Sequence, residues 1–232
     1  MKRVLLKLSG EALSGKNGEL YDNAFVDRVA NALLTSQKEG FEIAVVVGAG
    51  NIWRGRQGGE MDRATADHMG MLATVINSLC LKDAIVRAGG ECTVMTAIPM
   101  SPFTTPYSAE EAMKKLKGGE IVVFGCGLGM PFVSTDTAGA VRAAEIQADA
   151  MYMAKNIDYI YTADPRVDPT AEKLLTVSCS EILARGLRAI DATAAAFCQS
   201  VGLPIHIFGL STPEDICRAL RGEKVGTIVT AD

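Results

Sequence analysis

Only two histidines occur in the 232 residues, and no two of the six cysteines form a CxxC pair. The sequence therefore holds no zinc-type ligand set. The cysteines, at positions 80, 92, 126, 179, 198 and 217, fall several times inside apolar runs, where a free thiol packs as a small hydrophobe. A reducing, intracellular compartment is the expectation. A basic stripe is also missing. With a net charge of -4 and a pI near 5.3, the chain lacks the electrostatic footprint of a nucleic-acid binder. Lys114, Lys115 and Lys117 read as the solvated face of a helix. The N-terminal stretch carries Lys2 and Arg3 but is broken by Lys7, too early for a signal peptide. No run approaches the roughly 18 apolar residues of a membrane span. A cytoplasmic protein with neither a nucleic-acid nor a membrane partner is expected. Repeats, low-complexity tracts and linkers are absent too. Hydrophobic residues at 48% and charged ones at 22% describe a globular chain, long enough for one large domain or a tightly joined pair.

What is present is a regular alternation of short apolar runs and helical patterns. Strands are expected at 4–8, 42–47, 92–96, 120–124, 150–154, 159–161, 203–208 and 226–230. Asp22 caps a helix whose residues Phe25, Val26, Val29, Ala30, Leu33 and Leu34 share one face. A long helical pattern runs over 65–88 and another over 137–148. Ser108 with Glu111, and Ser178 with Glu181, are capping-box signatures. Asp191 caps a helix running to Ser200, and Pro213 takes the favoured first position of a last helix. Three prolines in 99–106 mark an irregular excursion at the edge. Continuous apolar strands separated by helices imply α/β architecture, a mainly parallel central sheet covered on both faces. Ligands of such sheets sit beyond the carboxyl ends of the strands.

Glycine-rich segments occupy those ends. Lys7-Leu8-Ser9-Gly10 follows the first strand, Gly48-Ala49-Gly50-Asn51 with Arg54 follows the second, and Gly127-Leu128-Gly129 runs into Ser134-Thr135-Asp136. A fourth stretch is Thr162-Ala163-Asp164-Pro165. Glycine lets backbone N–H groups approach an anion closely, and the lysine, arginine and aspartates among them suit a phosphoryl group and its metal. Two familiar phosphate motifs fail. Residues 10–17 nearly match GxxxxGK[ST], but Asn17 replaces the metal-binding hydroxyl and a turn follows where a helix N-terminus is required. Gly48 and Gly50 begin a GxGxxG, but Trp53 stands in place of the third glycine.

In their order and spacing, further segments complete a pattern. They are the run from Leu5 to Ala12, Gly50-Asn51-Ile52-Trp53-Arg54-Gly55, Met61-Asp62-Arg63, Asp67-His68-Met69-Gly70-Met71-Leu72-Ala73-Thr74, the run from Pro131 to Thr137, and Tyr161-Thr162-Ala163-Asp164-Pro165. Over essentially its whole length the chain resembles the bacterial UMP kinases of the amino-acid kinase family. The resemblance implies a single three-layer α/β/α sandwich over 1–232, with an acceptor-nucleotide side over about 1–150 and an ATP side over about 151–232. It implies the reaction ATP + UMP → ADP + UDP with Mg2+, and a homohexamer activated by GTP and inhibited by UTP. Lys7, Arg54 and Asp136 would be catalytic. Leu8, Ser9, Gly10, Gly50, Lys155, Asn156, Tyr161 and Asp164 would join Lys7 and Arg54 around ATP. Ala49, Asp67, Leu128, Gly129, Met130, Pro131, Phe132, Val133, Ser134 and Thr135 would hold UMP. Magnesium would ride mainly on the nucleotide phosphates, with Asp136 orienting Lys7 or helping to hold the metal.

Each residue has a plainer reading: Lys7 snorkelling from a strand end, Asp67 as a polar helix residue, Asp136 as a helix cap, Tyr161 as core, Asp164-Pro165 as a turn. His68 and His206 read as structural. The chain also departs from the family pattern. Ala49 stands where a third glycine is usual, and is tolerable only away from positive φ. Leu128 and Met130 replace polar loop residues, at a cost of about 0.5–1.5 kcal/mol for a lost hydrogen bond. Two other functions stay open: a kinase of another small acceptor such as a carbamate, an acylated amino acid or isopentenyl phosphate, and a non-catalytic nucleotide sensor.

Overall fold

The computed structural model describes residues 2–15, 19–53, 59–187 and 189–232. The strands are β1 (Lys2–Leu8), β2 (Phe41–Val47), β3 (Cys92–Thr96), β4 (Thr105–Pro106), β5 (Ile121–Gly125), β6 (Ala150–Lys155), β7 (Ile160–Tyr161), β8 (Lys173–Leu174), β9 (Thr176–Ser178), β10 (Ile205–Gly209) and β11 (Thr227–Thr230). Nine of them form one sheet in the order β4-β3-β5-β2-β1-β6-β10-β11-β9. All neighbours pair in parallel except β10 and β11. β7 and β8 form a separate antiparallel ribbon. Because β1 lies at the centre with β2 on one side and β6 on the other, three glycine-rich or lysine-bearing strand ends open side by side.

Alternation along the strands sorts the core into two layers. Val4, Leu6 and Leu8 of β1, with Ile43, Val45 and Val47 of β2, pack under α1 (Asn23–Lys38), α2 (Arg63–Arg87) and α7 (Glu214–Leu220). Leu5, Ala44, Val46, Met151 and Met153 face the other way, toward α3 (Ala109–Lys117), α4 (Thr135–Glu145), α5 (Cys179–Arg185) and α6 (Ala192–Val201). The same period of two places Lys7 and Lys155 on the α4 face. The result is the expected three-layer α/β/α sandwich.

The expected caps at Asp22, Ser108, Ser178 and Asp191 each accept a backbone N–H from the first turn of their helix. Three starts differ. α2 begins earlier than expected because Asp62 accepts from the Thr65 amide. α4 is capped by Ser134, which accepts from Thr137 N, so Asp136 sits inside the first turn and is not the cap. Pro213 precedes the last helix as its cap residue, and α7 begins at Glu214. β7 covers part of the expected strand 159–161 but belongs to the ribbon. β4, β8 and β9, two or three residues each, have no periodicity to read. Contrary to the expectation of no such run, α2 is by length and composition apolar enough to cross a membrane, but half of its most apolar stretch is buried in the fold.

α4 sits closely on the sheet because Gly139 faces it: a Cβ there would lie 2.6 Å from Met151 Cε and 3.4 Å from Leu5 Cδ2. Leu5 is fully buried in that contact. Replacing Leu5 with Ala leaves a cavity beneath α4 and is expected to cost about 2–5 kcal/mol. Chemical denaturation checks it; a loss below about 1 kcal/mol would mean that α4 is seated by other contacts.

Candidate functional site

At the centre of the sheet a carboxylate joins two lysines. Asp136, in the first turn of α4, is 2.7 Å from Lys7 Nζ through Oδ1 and 2.8 Å from Lys155 Nζ through Oδ2. Lys7 is opposite Met153 in the β1–β6 register, so Lys155 lies two residues farther along the same face of the neighbouring strand. One pleat repeat separates the lysines, and one carboxylate spans it. Lys7 and Asp136 are buried, each 8% exposed. Burial works against the charge on Asp136, but the two ammoniums outweigh it and hold the carboxyl below its ordinary pKa. Lys155 moves below the usual lysine value because burial outweighs the pull of Asp136, and the neighbouring Lys7 charge adds to the fall. The triple carries a net single positive charge.

The first two glycine segments interlock beside it. Ser9 precedes a single 3-10 turn, Gly10–Leu13, and not a phosphate-facing α-helix. Lys16 and Asn17 of the failed P-loop lie outside the described residues, as does Arg54. Gly48 N donates to Leu8 O at 2.9 Å. A Cβ on Gly10 would fall 2.4 Å from Gly48 O and 2.8 Å from Gly50 N, so only glycine permits this approach. Ala49 is not among the residues at positive φ, which removes the objection to its methyl group.

The loop after β5 comes next. Thr135 reaches the second segment, since a Cβ on Gly48 would lie 3.6 Å from Thr135 Oγ1. Asp67 faces this loop from α2: its Oδ2 accepts from Phe132 N at 2.9 Å, and both of its oxygens accept from Arg63 Nε at 3.0 Å. Leu128, Gly129, Pro131 and Val133 are half-buried, whereas Met130, Phe132 and Ser134 are exposed. Beyond Lys155 opens a cleft of about 1120 Å³, whose lining includes Asn156, Tyr159, Tyr161, Asp164 and Leu210. Within it, Tyr161 donates to Asp158 at 2.9 Å, and Asp164 is paired with Arg166 at 3.0 Å. The structure thus gathers Lys7, Gly10, Gly50, Thr135, Asp136 and Lys155 at one end of the sheet. The cleft residues lie to the β6 side, and Asp67 with residues 128–134 to the β5 side.

Four residues were not anticipated. Asp191, half-buried at the start of α6, accepts from the hydroxyls of Ser134 and of Thr137, the latter at 2.6 Å. It thereby ties α6 to the N-terminus of α4. Burial opposes its charge, but those hydroxyls and the Thr193 amide hold its pKa low. Only its capping role was visible in the sequence. Thr74 Oγ1 accepts from Cys126 N at 2.8 Å, Asn77 Nδ2 donates to Gly48 O at 2.7 Å, and Arg142 stacks on Tyr107 with 3.4 Å between guanidinium carbon and ring centre. All three sit inside helical patterns that otherwise read as packing. No group of three or more His, Cys, Asp or Glu that could hold a metal occurs among the described residues.

This arrangement, basic groups and glycine amides at the carboxyl ends of parallel strands, has the chemistry to hold phosphate groups. Comparison with known proteins is consistent with it. The model of the amino acid kinase family matches residues 2–209. The UMP kinase from Bacillus anthracis superimposes with a TM-score of 0.95 at 36% identity, covering 100% of this chain and 96% of that one. The UMP kinase from Ureaplasma parvum gives 0.93 at 32%, covering 99% and 98%. The uridylate kinase from Archaeoglobus fulgidus gives 0.76 at 28%, covering 99% and 100%. The chain belongs to the amino acid kinase family.

The triple makes a signed prediction. Replacing Asp136 with Asn removes the charge that raises the Lys155 pKa, while burial and Lys7 still lower it. Lys155 should therefore titrate at a lower pH in Asp136→Asn than in the parent. Lysine NMR over an alkaline titration reads this directly; an unchanged or raised midpoint would break the electrostatic account.

Proposed function

We propose that the chain is a nucleoside monophosphate kinase that transfers the γ-phosphoryl group of ATP to UMP. The observation that carries this reading is the buried Lys7–Asp136–Lys155 triple. Its net positive charge lies among glycine amides, between a large cleft on the β6 side and the loop 128–135 on the β5 side. Phosphoryl transfer asks for positioning and charge neutralisation, and little covalent chemistry. ATP would occupy the cleft, with Tyr161 against the base, Asp164 on its polar edge or ribose, and Asn156 nearby. Its phosphates would run past Lys155 toward Lys7, Ser9 and Gly10. UMP would lie across Ala49, Asp67 and the loop 128–135, with Asp67 on the ribose hydroxyls. Gly50 N–H would meet the moving phosphoryl group, and Arg54 its equatorial oxygens. Asp136 orients both lysines, so neither needs to reorganise as charge shifts from the acceptor oxygen to the leaving oxygen.

Magnesium is expected with ATP, but the described protein donors do not form a dedicated site for it. Both oxygens of Asp136 are taken by ammonium groups. The nucleotide phosphates would carry the metal. Cytoplasmic pyrimidine nucleotide synthesis is the setting that the reaction implies. GTP activation and UTP inhibition rest on the family resemblance alone. Self-assembly has support of its own: Met69, Leu72 and Ile76 stand exposed at helical spacing on α2, an apolar stripe that a second copy would cover. Sedimentation should give an oligomer, with the hexamer as the expected form; a monomer would remove α2 as a subunit contact.

An ADP-release assay with Mg-ATP and UMP, CMP, dUMP, AMP or no acceptor tests the activity. Turnover with UMP well above the others is expected. Lys7→Ala should lower it by about a hundredfold or more, the scale of one lost pre-organised charge. Unchanged turnover would sink the mechanism. A folded, ATP-binding protein inert toward every nucleotide would point to another acceptor or to a sensor.

A further inference from the structure

Asn77 is a fully buried polar side chain in the middle of α2 with no place in the transfer step. Its amide is completely engaged. Nδ2 donates to Gly48 O at 2.7 Å and to Asn51 Oδ1 at 2.8 Å. Oδ1 accepts from Tyr21 OH at 2.7 Å and from Asn51 Nδ2 at 3.1 Å. Asn77 and Asn51 therefore form a reciprocal amide pair, and Asn51 also donates to Leu20 O at 3.2 Å. The bonded atoms are the first and last residues of the second glycine segment and the chain just before α1. Gly10 is packed against Gly48 O, Gly50 N and Asn51 Oδ1. Together with the direct bond from Gly48 N to Leu8 O, this amide sets where residues 48–51 stand against residues 7–10.

We infer that Asn77 is a positioning residue for phosphoryl transfer, fixing the Gly50 amide relative to Lys7; this rests on the kinase reading above. The segment has two glycines and little intrinsic stiffness, so its geometry must come from outside it. A carbonyl bonded from a rigid helix supplies that geometry without touching either nucleotide. Loss of the clamp should displace the Gly50 N–H while leaving the cleft and the acceptor loop in place. Misplacement on the scale of 1 Å costs about a hundredfold in rate.

The test compares Asn77→Ala with Ser78→Ala, since the Ser78 hydroxyl is buried and donates to its own helix at Thr74 O. Asn77→Ala should lower kcat by about tenfold to a hundredfold and leave KM for ATP and UMP within a small factor, while Ser78→Ala keeps both. Amide hydrogen exchange at residues 48–52 should speed up in Asn77→Ala alone. If Asn77→Ala does not fold, Asn51→Ala cuts the same pair from the loop side and should show the same kcat loss and the same faster exchange. Unchanged kcat, or a KM rise that accounts for the whole loss, would overturn the proposal. Should the parent show no UMP-dependent turnover, the kinase reading fails separately. Exchange then decides the clamp, and unchanged exchange rejects it.

Discussion

A single buried carboxylate between two ammonium groups organises this molecule. Three chain segments far apart in sequence must arrive together for it to form: the end of β1, the start of α4 and the end of β6. An error of one residue in the register of β1 or β6 would turn its lysine to the opposite face of the sheet. The arrangement is costly, because burying charge in a protein interior is rarely repaid by pairing alone. Two lysines sharing one aspartate pay even less well, and the remaining positive charge favours an anion. Stability alone does not account for an ion triple of this kind, and its surplus charge suits the phosphorylated ligand proposed for it. The two ammonium groups lower the pKa of Asp136 and keep it ionised through the ordinary carboxylate range, so its linked contribution to stability is full above that range and is lost as pH falls from there through the lowered value.

The loops around the triple are held largely by α2. Its inward positions make three ties to two site segments: Asp67 takes the Phe132 amide and Thr74 the Cys126 amide of the loop after β5, and Asn77 holds Gly48. Trp53 adds a fourth tie, donating from Nε1 to Ala66 O at 2.8 Å. Ordinary helix packing would use these positions for aliphatic side chains, so the polar residues mark where the helix serves the loops. The opposite face of α2 carries the exposed apolar stripe, so any subunit seated there would press on the element that sets the loop geometry.

Legibility in the sequence followed physical scale. The six long parallel strands and the capped helices were readable because periodicity and capping act locally. Lys7 and Asp136 stood out as charges among glycine and apolar residues. Pairing of Asp136 with Lys155 was not readable, since it depends on the parallel register of β1 and β6, which no local pattern records. Likewise, Ser134 and not Asp136 caps α4: both fit the propensity, and only the backbone path chooses. The ribbon of β7 and β8 is too short to announce itself. Asn77 and Thr74 were invisible for another reason, because a polar residue inside an apolar helical pattern has no signature until its partner loop is placed.

The substitutions at Leu128 and Met130 can be weighed against how their loop is built. Cys126 and Phe132 hold φ of 65° and 68°, left-handed values that cost about 1–2 kcal/mol each for residues with a Cβ. Gly127 and Gly129 take φ of 55° and 79° without that cost. Each strained residue has its amide fixed from α2, Cys126 by Thr74 and Phe132 by Asp67. The path of the loop is therefore set by backbone conformation and by α2, and does not depend on the side chains at 128 and 130. Changing those two alters side-chain contacts but leaves the backbone amides and carbonyls of the loop in place. If this loop holds UMP as proposed, the acceptor is read mainly through backbone groups, for shape more than for identity. On that proposal, discrimination among pyrimidine monophosphates is the property most exposed to the departures from the family pattern.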